Sequence, residues 1–322
     1  HRTPKPSKAS FQSTHGARIR GRQAKHSPAV ALSNANSFLM LPHGMGRVKG
    51  REDPPGTLCS VKLCRFELLE QPGSVRSGLY YDGRIYETDG KNAIGIHEVD
   101  QIRLHAPIGQ PPSIKAFHVT RSSAGEEMLH YSYLHSAQLH GPNAEHELPD
   151  LGEGFGGWDF EARICAVLSD TGSSIQPDEG DSFILGYTIL CQLCPPAESV
   201  QAPIEVPTAI LTDGGSALGP FVITPEEIAE YETSERSTYS LEWVMTVNET
   251  EIAQGVWKPE PIFPVLLNLA SQVRPLLAGE IVAHLPLPKP TLEDSPLGRG
   301  IVPGDVIHVK LEGLGILASR IV

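Results

Sequence analysis

The stretch Pro303-Gly304-Asp305-Val306-Ile307-His308-Val309-Lys310-Leu311-Glu312-Gly313-Leu314-Gly315 decides the fold class. Apolar and polar side chains alternate within it, as they do in half-buried strands, and its glycines are typical of the turn between two strands. Short segments of this kind recur along the chain, separated by Gly and Pro, whereas helical periodicity is confined to a few places. The sequence therefore predicts a β-rich α+β fold, a twisted β-roll or barrel with peripheral helices.

Further strands and helices are predicted from the same two periodicities. The strands fall at 61–68, 78–86, 160–168, 184–190 and 241–248, of which 78–86 is a hairpin around the turn Asp82-Gly83. Short helices are predicted at 177–183, after Thr224, and at 262–273. Helices are thus few and lie between strands.

Three regions follow from composition. Residues 1–57 are rich in Ser, Arg, Lys, His and Pro without a sustained period, which predicts a disordered basic leader; an organellar transit peptide is the alternative. Residues 58–110 read as a small N-terminal β domain, and 111–322 as the larger catalytic domain. Whether the leader is cleaved stays open.

Charge and cysteine content narrow the class of protein. Ten of the 26 Lys and Arg residues lie within 1–51, so the remainder carries 16 basic and 38 acidic residues, a net charge of about −22. An acidic body argues against nucleic acid as a partner, and no apolar run is long enough for a membrane span. Five cysteines without a secretory signal favour a reducing compartment, so we expect a cytoplasmic protein, with a mitochondrial one as the alternative.

Four stretches in order resemble the fumarylacetoacetate hydrolase family over residues 61–322. They are Asp159-Phe160-Glu161-Ala162-Arg163, Gly186-Tyr187-Thr188, Leu218-Gly219-Pro220, and the stretch from Pro303 to Gly315 quoted above. The resemblance implies that the fold is that of the family and that the protein is a homodimer acting on a small molecule. It also implies Mg or Mn held by three carboxylates, which would stabilise negative charge on a substrate oxygen.

The chain departs from the family at most of the residues that this chemistry needs. Arg163 stands at the second carboxylate position and Gln192 at the third, while Glu161 keeps the first. Ala124 replaces the family's catalytic His, and Ile210 replaces its substrate-binding Lys. The sequence therefore predicts that the protein binds no metal and needs no cofactor. Mg or Mn is expected only if the protein is the metal-dependent alternative described below.

Seven residues are candidates for the site. Arg163 and Gln192 are predicted to polarise a substrate carbonyl, and Arg163 should point to the same face as Glu161 because the two are two residues apart on one strand. Glu127 and His135 are predicted to transfer the proton. Substrate-binding roles fall to three residues: Glu161, Tyr187 in the Gly-Tyr-Thr strand, and His284, which stands in the family's carboxylate-binding turn.

Three functions remain open from the sequence. The first is a metal-independent isomerase, cyclase or C–C lyase that acts on a hydrophobic oxo or enolic metabolite in specialised biosynthesis. The second is a metal-dependent hydrolase or decarboxylase of a β-diketone or 2-oxo acid. The third is a noncatalytic binding protein. The substrate and the reaction type are not fixed by the sequence.

Overall fold

The computed structural model describes residues 61–122, 124–148, 157–195 and 215–322. The predicted leader at 1–57 and the position of Ile210 lie outside these ranges. None of the helices within them is long and apolar enough to cross a membrane.

The first half of the described chain is built from nine strands. They are β1 (Lys62–Leu68), β2 (Gln71–Tyr81), β3 (Arg84–Thr88), β4 (Ala93–Glu98), β5 (Ile102–His105), β6 (Ile114–Arg121), β7 (Glu127–Leu134), β8 (Leu139–His140) and β9 (Ala144–His146). Short 3₁₀ helices at Val99–Gln101 and Ser136–Gln138 lie between some of them. The predicted hairpin is confirmed as β2 and β3, and Asp82 and Gly83 have the positive φ angles of 47° and 77° that its tight turn requires.

The second half contains eight strands and the single α-helix of the described residues. The strands are β10 (Asp159–Leu168), β11 (Ile184–Cys194), β12 (Ser216–Ile223), β13 (Leu241–Val247), β14 (Thr250–Trp257), β15 (Ile281–Ala283), β16 (Val306–Leu311) and β17 (Gly315–Ile321). The helix α1 spans Phe263–Ser271, and 3₁₀ helices span Gly180–Phe183 and Pro225–Tyr231. The two strands predicted from the stretch that ends at Gly315 are thus β16 and β17.

The strands form two sheets. The larger sheet has twelve strands in the order β4-β3-β2-β1-β12-β11-β10-β15-β6-β7, with β5 beside β1 and β8 beside β12. The smaller has the order β14-β13-β16-β17-β9. The predicted β-rich α+β fold is confirmed. Because β1 pairs with β12, the strands of the proposed N-terminal domain belong to the same sheet as those that follow, and the boundary at 110 stays a prediction.

Two apolar clusters cover opposite faces of the central strands of the larger sheet. On β10, Phe160, Ala162, Ile164, Ala166 and Leu168 belong to the principal core, together with residues of the smaller sheet and of α1. Cys165 and Val167, one residue out of phase, belong to a second cluster with residues of β1, β6 and β12. Both faces of β10 are therefore buried over most of its length. The cysteines among the described residues, Cys64, Cys165, Cys191 and Cys194, are all free thiols.

Candidate active site

Glu161 and Arg163 lie on the face of β10 that turns away from the principal core. Successive strand residues point to opposite faces, so these two residues share a side with Cys165 and not with Phe160. In the ladder to β11, Glu161 is directly opposite Gln192, whose side chain is buried. The predicted carboxylate, guanidinium and amide are thus brought together on one face of the sheet.

Arg163 is fully buried and nearly all of its donors are engaged. Its Nη1 donates to the carbonyl oxygens of Phe117 at 2.7 Å and His284 at 2.8 Å. Its Nη2 donates to Glu161 Oε2 at 2.6 Å and lies 3.3 Å from His118 Nδ1. Nε is the one nitrogen of the group without a partner within the described residues. Because a guanidinium has five N–H groups, Arg163 has little left to offer a substrate directly.

Histidines from the β6–β7 hairpin complete this face. His118 and His130 are paired across the hairpin, with ring centroids 5.7 Å apart, and His118 Nε2 is 3.0 Å from Ser132 Oγ. Burial and the charge of Arg163 lower the pKa of His118 to about 4. His118 is therefore neutral near pH 7, and its unprotonated Nδ1 can accept the Arg163 hydrogen bond while Nε2–H donates to Ser132.

Neither His118 nor His130 was predicted as a site residue, although the sequence contains a signal for them. A hairpin that turns at 122–126 places residues directly opposite when their numbers sum to a constant, and 118 pairs with 130 in this way. His118 lies on the face of Arg163, since its Nδ1 is 3.3 Å from Arg163 Nη2, and His130 is directly opposite His118 on β7. The five histidines between 118 and 146 were a recognisable cluster, but their faces depend on the hairpin register.

Glu161 is the charged group of this site that reaches solvent. Its side chain is 37% exposed, whereas that of Arg163 is completely buried. Its carboxylate is fixed by one short hydrogen bond and keeps further lone pairs, because a carboxylate accepts at two oxygens. The site therefore presents a proton acceptor held beside a permanent cation, with an amide on the neighbouring strand.

These residues do not fit a hard divalent cation. Mg and Mn prefer several oxygen ligands, carboxylates foremost. Here one carboxylate, Glu161, is already bonded to the Arg163 guanidinium, whose positive charge would repel a metal ion. Within the ranges that the structure describes, no three His, Cys, Asp or Glu side chains are grouped so that they could hold a metal. The groups of this site therefore act without a metal ion in the mechanism proposed below.

Glu127 and His135 lie at opposite ends of β7, away from each other. At 3.3 Å per residue they are roughly 25 Å apart. Glu127 is exposed at the hairpin tip, where Arg121 Nη2 is 3.1 Å from its carboxylate. His135 is exposed just before the 3₁₀ helix that follows the strand. Neither is brought to Glu161 in this structure, and their roles in proton transfer stay predictions.

Tyr187 and His284 point into the principal core, on the other side of the sheet from Arg163. The Tyr187 ring is buried against Phe263 and Tyr239, and burial raises the pKa of its hydroxyl well above its ordinary value. The His284 ring packs against Trp257 and Phe263, and its Nε2 lies 2.9 Å from the Pro261 carbonyl oxygen. Only the backbone carbonyl of His284 reaches Arg163, so the substrate-binding roles of both side chains stay predictions.

Comparison with solved structures places the fold among known enzymes. A 5-carboxymethyl-2-hydroxymuconate delta-isomerase from Mycobacterium smegmatis has a TM-score of 0.61 at 20% identity, over 81% of this chain and 99% of that one. A fumarylacetoacetate hydrolase from Exiguobacterium antarcticum has a TM-score of 0.62 at 19% identity, over 81% and 99%. A maleylpyruvate hydrolase from Sphingobium sp. SYK-6, solved with manganese(II) and pyruvate, has a TM-score of 0.61 at 17% identity, over 81% and 98%. These likenesses show the fold.

The sequence comparisons give the family. No curated protein matches the chain. The sequence profile described as the C-terminal domain of fumarylacetoacetate (FAA) hydrolase matches residues 118–322, which include β10, β11 and the β16–β17 hairpin. The resemblance read from the sequence motifs is thereby confirmed, and the chain belongs to the fumarylacetoacetate hydrolase family.

Proposed function

We propose that the protein is a metal-independent isomerase that moves a proton within a small, hydrophobic oxo or enolic compound. The observation that carries this proposal is the position of the Arg163 guanidinium, 2.6 Å from Glu161 where the family pattern has a second carboxylate. The guanidinium holds the Glu161 carboxylate in a fixed position without a metal, through a short charge-assisted hydrogen bond. It leaves proton transfer as the chemistry that the remaining groups can perform.

Glu161 is the proposed catalytic base and acid. Its carboxylate would take a proton from the carbon next to a substrate carbonyl and return it at another carbon of the same conjugated system, so that no atom is gained or lost. The Gln192 amide, opposite Glu161, would donate a hydrogen bond to the oxygen on which negative charge develops. Both groups stand on paired strands, which fixes their separation.

Arg163 is a positioning residue in this scheme. It binds the carbonyls of Phe117 and His284 and the ring of His118, and so ties β6 and the end of β15 to Glu161. This differs from the role that the sequence suggests, in which Arg163 contacts the substrate. Substrate polarisation then rests on Gln192, since the guanidinium donors are taken up by the protein.

Further parts of the proposal are predictions from the sequence. Ring closure and C–C cleavage are alternatives to isomerisation at the same groups, and a place in specialised biosynthesis is also predicted, whereas the homodimer rests on the family resemblance. We propose a homodimer, which light scattering of the purified protein would test. An isomerase among the structural neighbours agrees with the proposed reaction class, whereas the neighbour solved with manganese and pyruvate represents the metal-dependent alternative.

Proton exchange tests the proposal without the natural substrate. A panel of enolisable 2-oxo acids and β-diketones is incubated in D₂O, and loss of the exchangeable C–H signals is followed by proton NMR. We expect catalysed exchange that EDTA does not change and that Glu161→Gln lowers about 100-fold or more. Glu98→Gln is the matched control, because its carboxylate is exposed on the edge strand β4, six strands away from β10 in the sheet order.

The other outcomes point to the alternatives. Exchange that requires added Mg or Mn, with stoichiometric metal binding by calorimetry, would replace the proposal with the metal-dependent hydrolase. No exchange with any compound of the panel, in protein shown by circular dichroism to be folded, would favour the noncatalytic binding protein. Equal exchange by Glu161→Gln and the unmodified protein would remove Glu161 from the mechanism.

A further inference from the structure

A cavity of about 810 Å³ lies away from Glu161, between the N-terminal strands and the segment 139–144. Its walls come from β1, β2 and β5, from the residues after β5, and from Phe221 of β12. The volume falls within the range of small-molecule sites, roughly 300–1,000 Å³. The cavity is therefore large enough to enclose a ligand of metabolite size.

The lining of the cavity is basic although the protein is acidic. Arg65, Arg103, His105 and His140 line it, whereas none of the lining residues in the described part of the chain is Asp or Glu. The whole chain carries a net charge of −12. A cavity that excludes carboxylates in such a chain concentrates positive potential where an anion would bind.

Arg65 is the cation of this cavity that is free to bind. Arg103 and His105 approach the buried carboxylate of Glu67, at 3.2 Å and 3.5 Å, so both side chains already have an acidic partner. Arg65 forms no ion pair with any residue in the described ranges, and its Nη1 donates a 3.2 Å hydrogen bond to the Ala106 carbonyl oxygen. Burial lowers its pKa, yet a guanidinium remains charged at neutral pH.

A glycine makes room for the Arg65 guanidinium. A Cβ at Gly109 would collide with Nη1 of Arg65, and that glycine also lines the cavity. The guanidinium therefore lies against bare backbone, which fixes its direction. A fixed guanidinium with unused N–H groups is suited to a planar carboxylate, which it can bind through two parallel hydrogen bonds.

Apolar side chains also line the cavity. Tyr80 and Phe221 stack with ring centroids 4.9 Å apart, and Ile85, Ile102 and Leu104 are further lining residues. An apolar lining with a small number of polar groups is the usual composition of a ligand pocket. It calls for a ligand with an aromatic or branched apolar body and a single acidic end.

We propose that this cavity binds a small monocarboxylic acid with an apolar body, and that Arg65 binds its carboxylate. The site is separate from the candidate active site: a row of paired residues, Glu161, Gln192, Ser216 and Leu139, crosses four strands between them. At 4.8 Å per strand this is roughly 14 Å. The proposal thus adds a ligand and does not depend on the reaction at Glu161.

The test compares an acid with a neutral analogue of the same shape. Binding of 3-phenylpropanoate and of 3-phenylpropan-1-ol to the full chain is measured by isothermal titration and by saturation-transfer NMR. We expect the alcohol to bind at least about ten-fold more weakly, because it loses the charge-assisted hydrogen bonds. Arg65→Gln should weaken the binding of the acid by a similar factor. Gly109→Ala should also weaken this binding, because the added methyl group displaces the guanidinium.

The control variant is Arg84→Gln, which removes an exposed arginine of the same sheet outside the cavity. It should leave the affinity for the acid within about two-fold of the unmodified value. Circular dichroism confirms that each variant is folded. Equal binding of acid and alcohol, unchanged affinity in Arg65→Gln, or no saturation at about 10 mM acid, where a millimolar site would be filled, would overturn the proposal.

Glu161→Gln separates this inference from the proposed isomerase. Affinity for 3-phenylpropanoate should be unchanged in that variant, whether or not it loses proton exchange. Loss of acid binding in Glu161→Gln, with Arg65→Gln unaffected, would place the acid at the candidate active site and refute a separate cavity site. Failure of the proton-exchange assay has no bearing on the binding result.

Discussion

Arg163 and Arg65 are both drawn away from solvent, but their donors are used in different ways. Arg163 is completely buried and bonds two carbonyl oxygens, one carboxylate and one imidazole. Arg65 is half-buried at the wall of a cavity and bonds one carbonyl oxygen. The first guanidinium joins three strands of the sheet, whereas the second faces open space in the cavity.

The difference teaches that burial of a cation does not by itself indicate a binding site. A buried guanidinium whose hydrogen bonds are satisfied by the protein is part of the scaffold, and its removal leaves buried acceptors without donors. A guanidinium with spare donors beside an apolar wall can still exchange water for a ligand. Counting the remaining N–H groups distinguishes the two, and the variants below test that distinction.

The largest effect is expected from Arg163→Met. The change leaves the Phe117 and His284 carbonyls without their donor and Glu161 without its ion-pair partner. Breaking a buried charged network from one side costs about 3–5 kcal/mol in the free energy of unfolding. Urea denaturation measures this change. A loss below about 1 kcal/mol would show that the guanidinium is not a structural tie.

A double variant sharpens this result. In Arg163→Met combined with Glu161→Gln, the unpaired carboxylate is no longer present, so part of the loss should be restored, by about 1 kcal/mol relative to Arg163→Met alone. The loss of stability that remains measures the cost of leaving the two backbone carbonyls without a hydrogen-bond donor. If the destabilising effects of the two substitutions simply add, then Glu161, whose side chain is 37% exposed, is solvated well enough to need no ion-pair partner.

Arg163 should also affect the pH dependence of stability, because burial of His118 and the nearby charge of Arg163 lower the pKa of His118 to about 4. An unfolded His has a pKa of about 6.5, so between that pH and about 4 the unfolded chain binds a proton that the folded chain does not bind. The stabilisation from His118 is complete above pH 6.5 and is lost as the pH falls toward 4. This group should contribute about 1–2 kcal/mol of the loss between pH 7 and 5.

His118→Gln should reduce that loss, measured by urea denaturation at the two pH values. The reduction is partial, because burial also lowers the pKa of His146 to about 4 and that of His284. The control is His130→Gln, which changes the exposed ring on the paired strand and should leave most of the loss in place. An unchanged pH profile in His118→Gln would mean that this imidazole gains its proton as readily in the folded chain.

Much of the fold and half of the candidate site follow from strand periodicity. The alternation on β10 predicts that Glu161 and Arg163 share a face, and the structure confirms it. The motif order also brings Gln192 to the same place. The same rule, applied to β11, would have separated Tyr187 from Gln192, because residues five positions apart on a strand face opposite sides. The odd or even spacing of two residues on a strand is therefore a better predictor of a shared face than their presence in the same motif.

The remaining features depend on contacts that a single sequence does not encode locally. The hairpin register that pairs His118 with His130 follows only once the turn at 122–126 is known. The cavity at Arg65 needs β1, β5 and the segment 139–144 to meet, although they are separated by many residues in the chain. Such meetings are set by the order of strands in the sheet, which propensity and spacing leave open.

The smallest effect on stability is expected from Arg65→Met, and it completes the comparison with Arg163→Met. The variant loses one hydrogen bond, which Arg65 donates to the Ala106 carbonyl oxygen, and methionine keeps an unbranched apolar stem. The free energy of unfolding should therefore fall by less than about 1 kcal/mol in urea denaturation. A loss as large as that of Arg163→Met would show that Arg65 also holds the fold together, and that spare donors do not distinguish a binding guanidinium from a structural one.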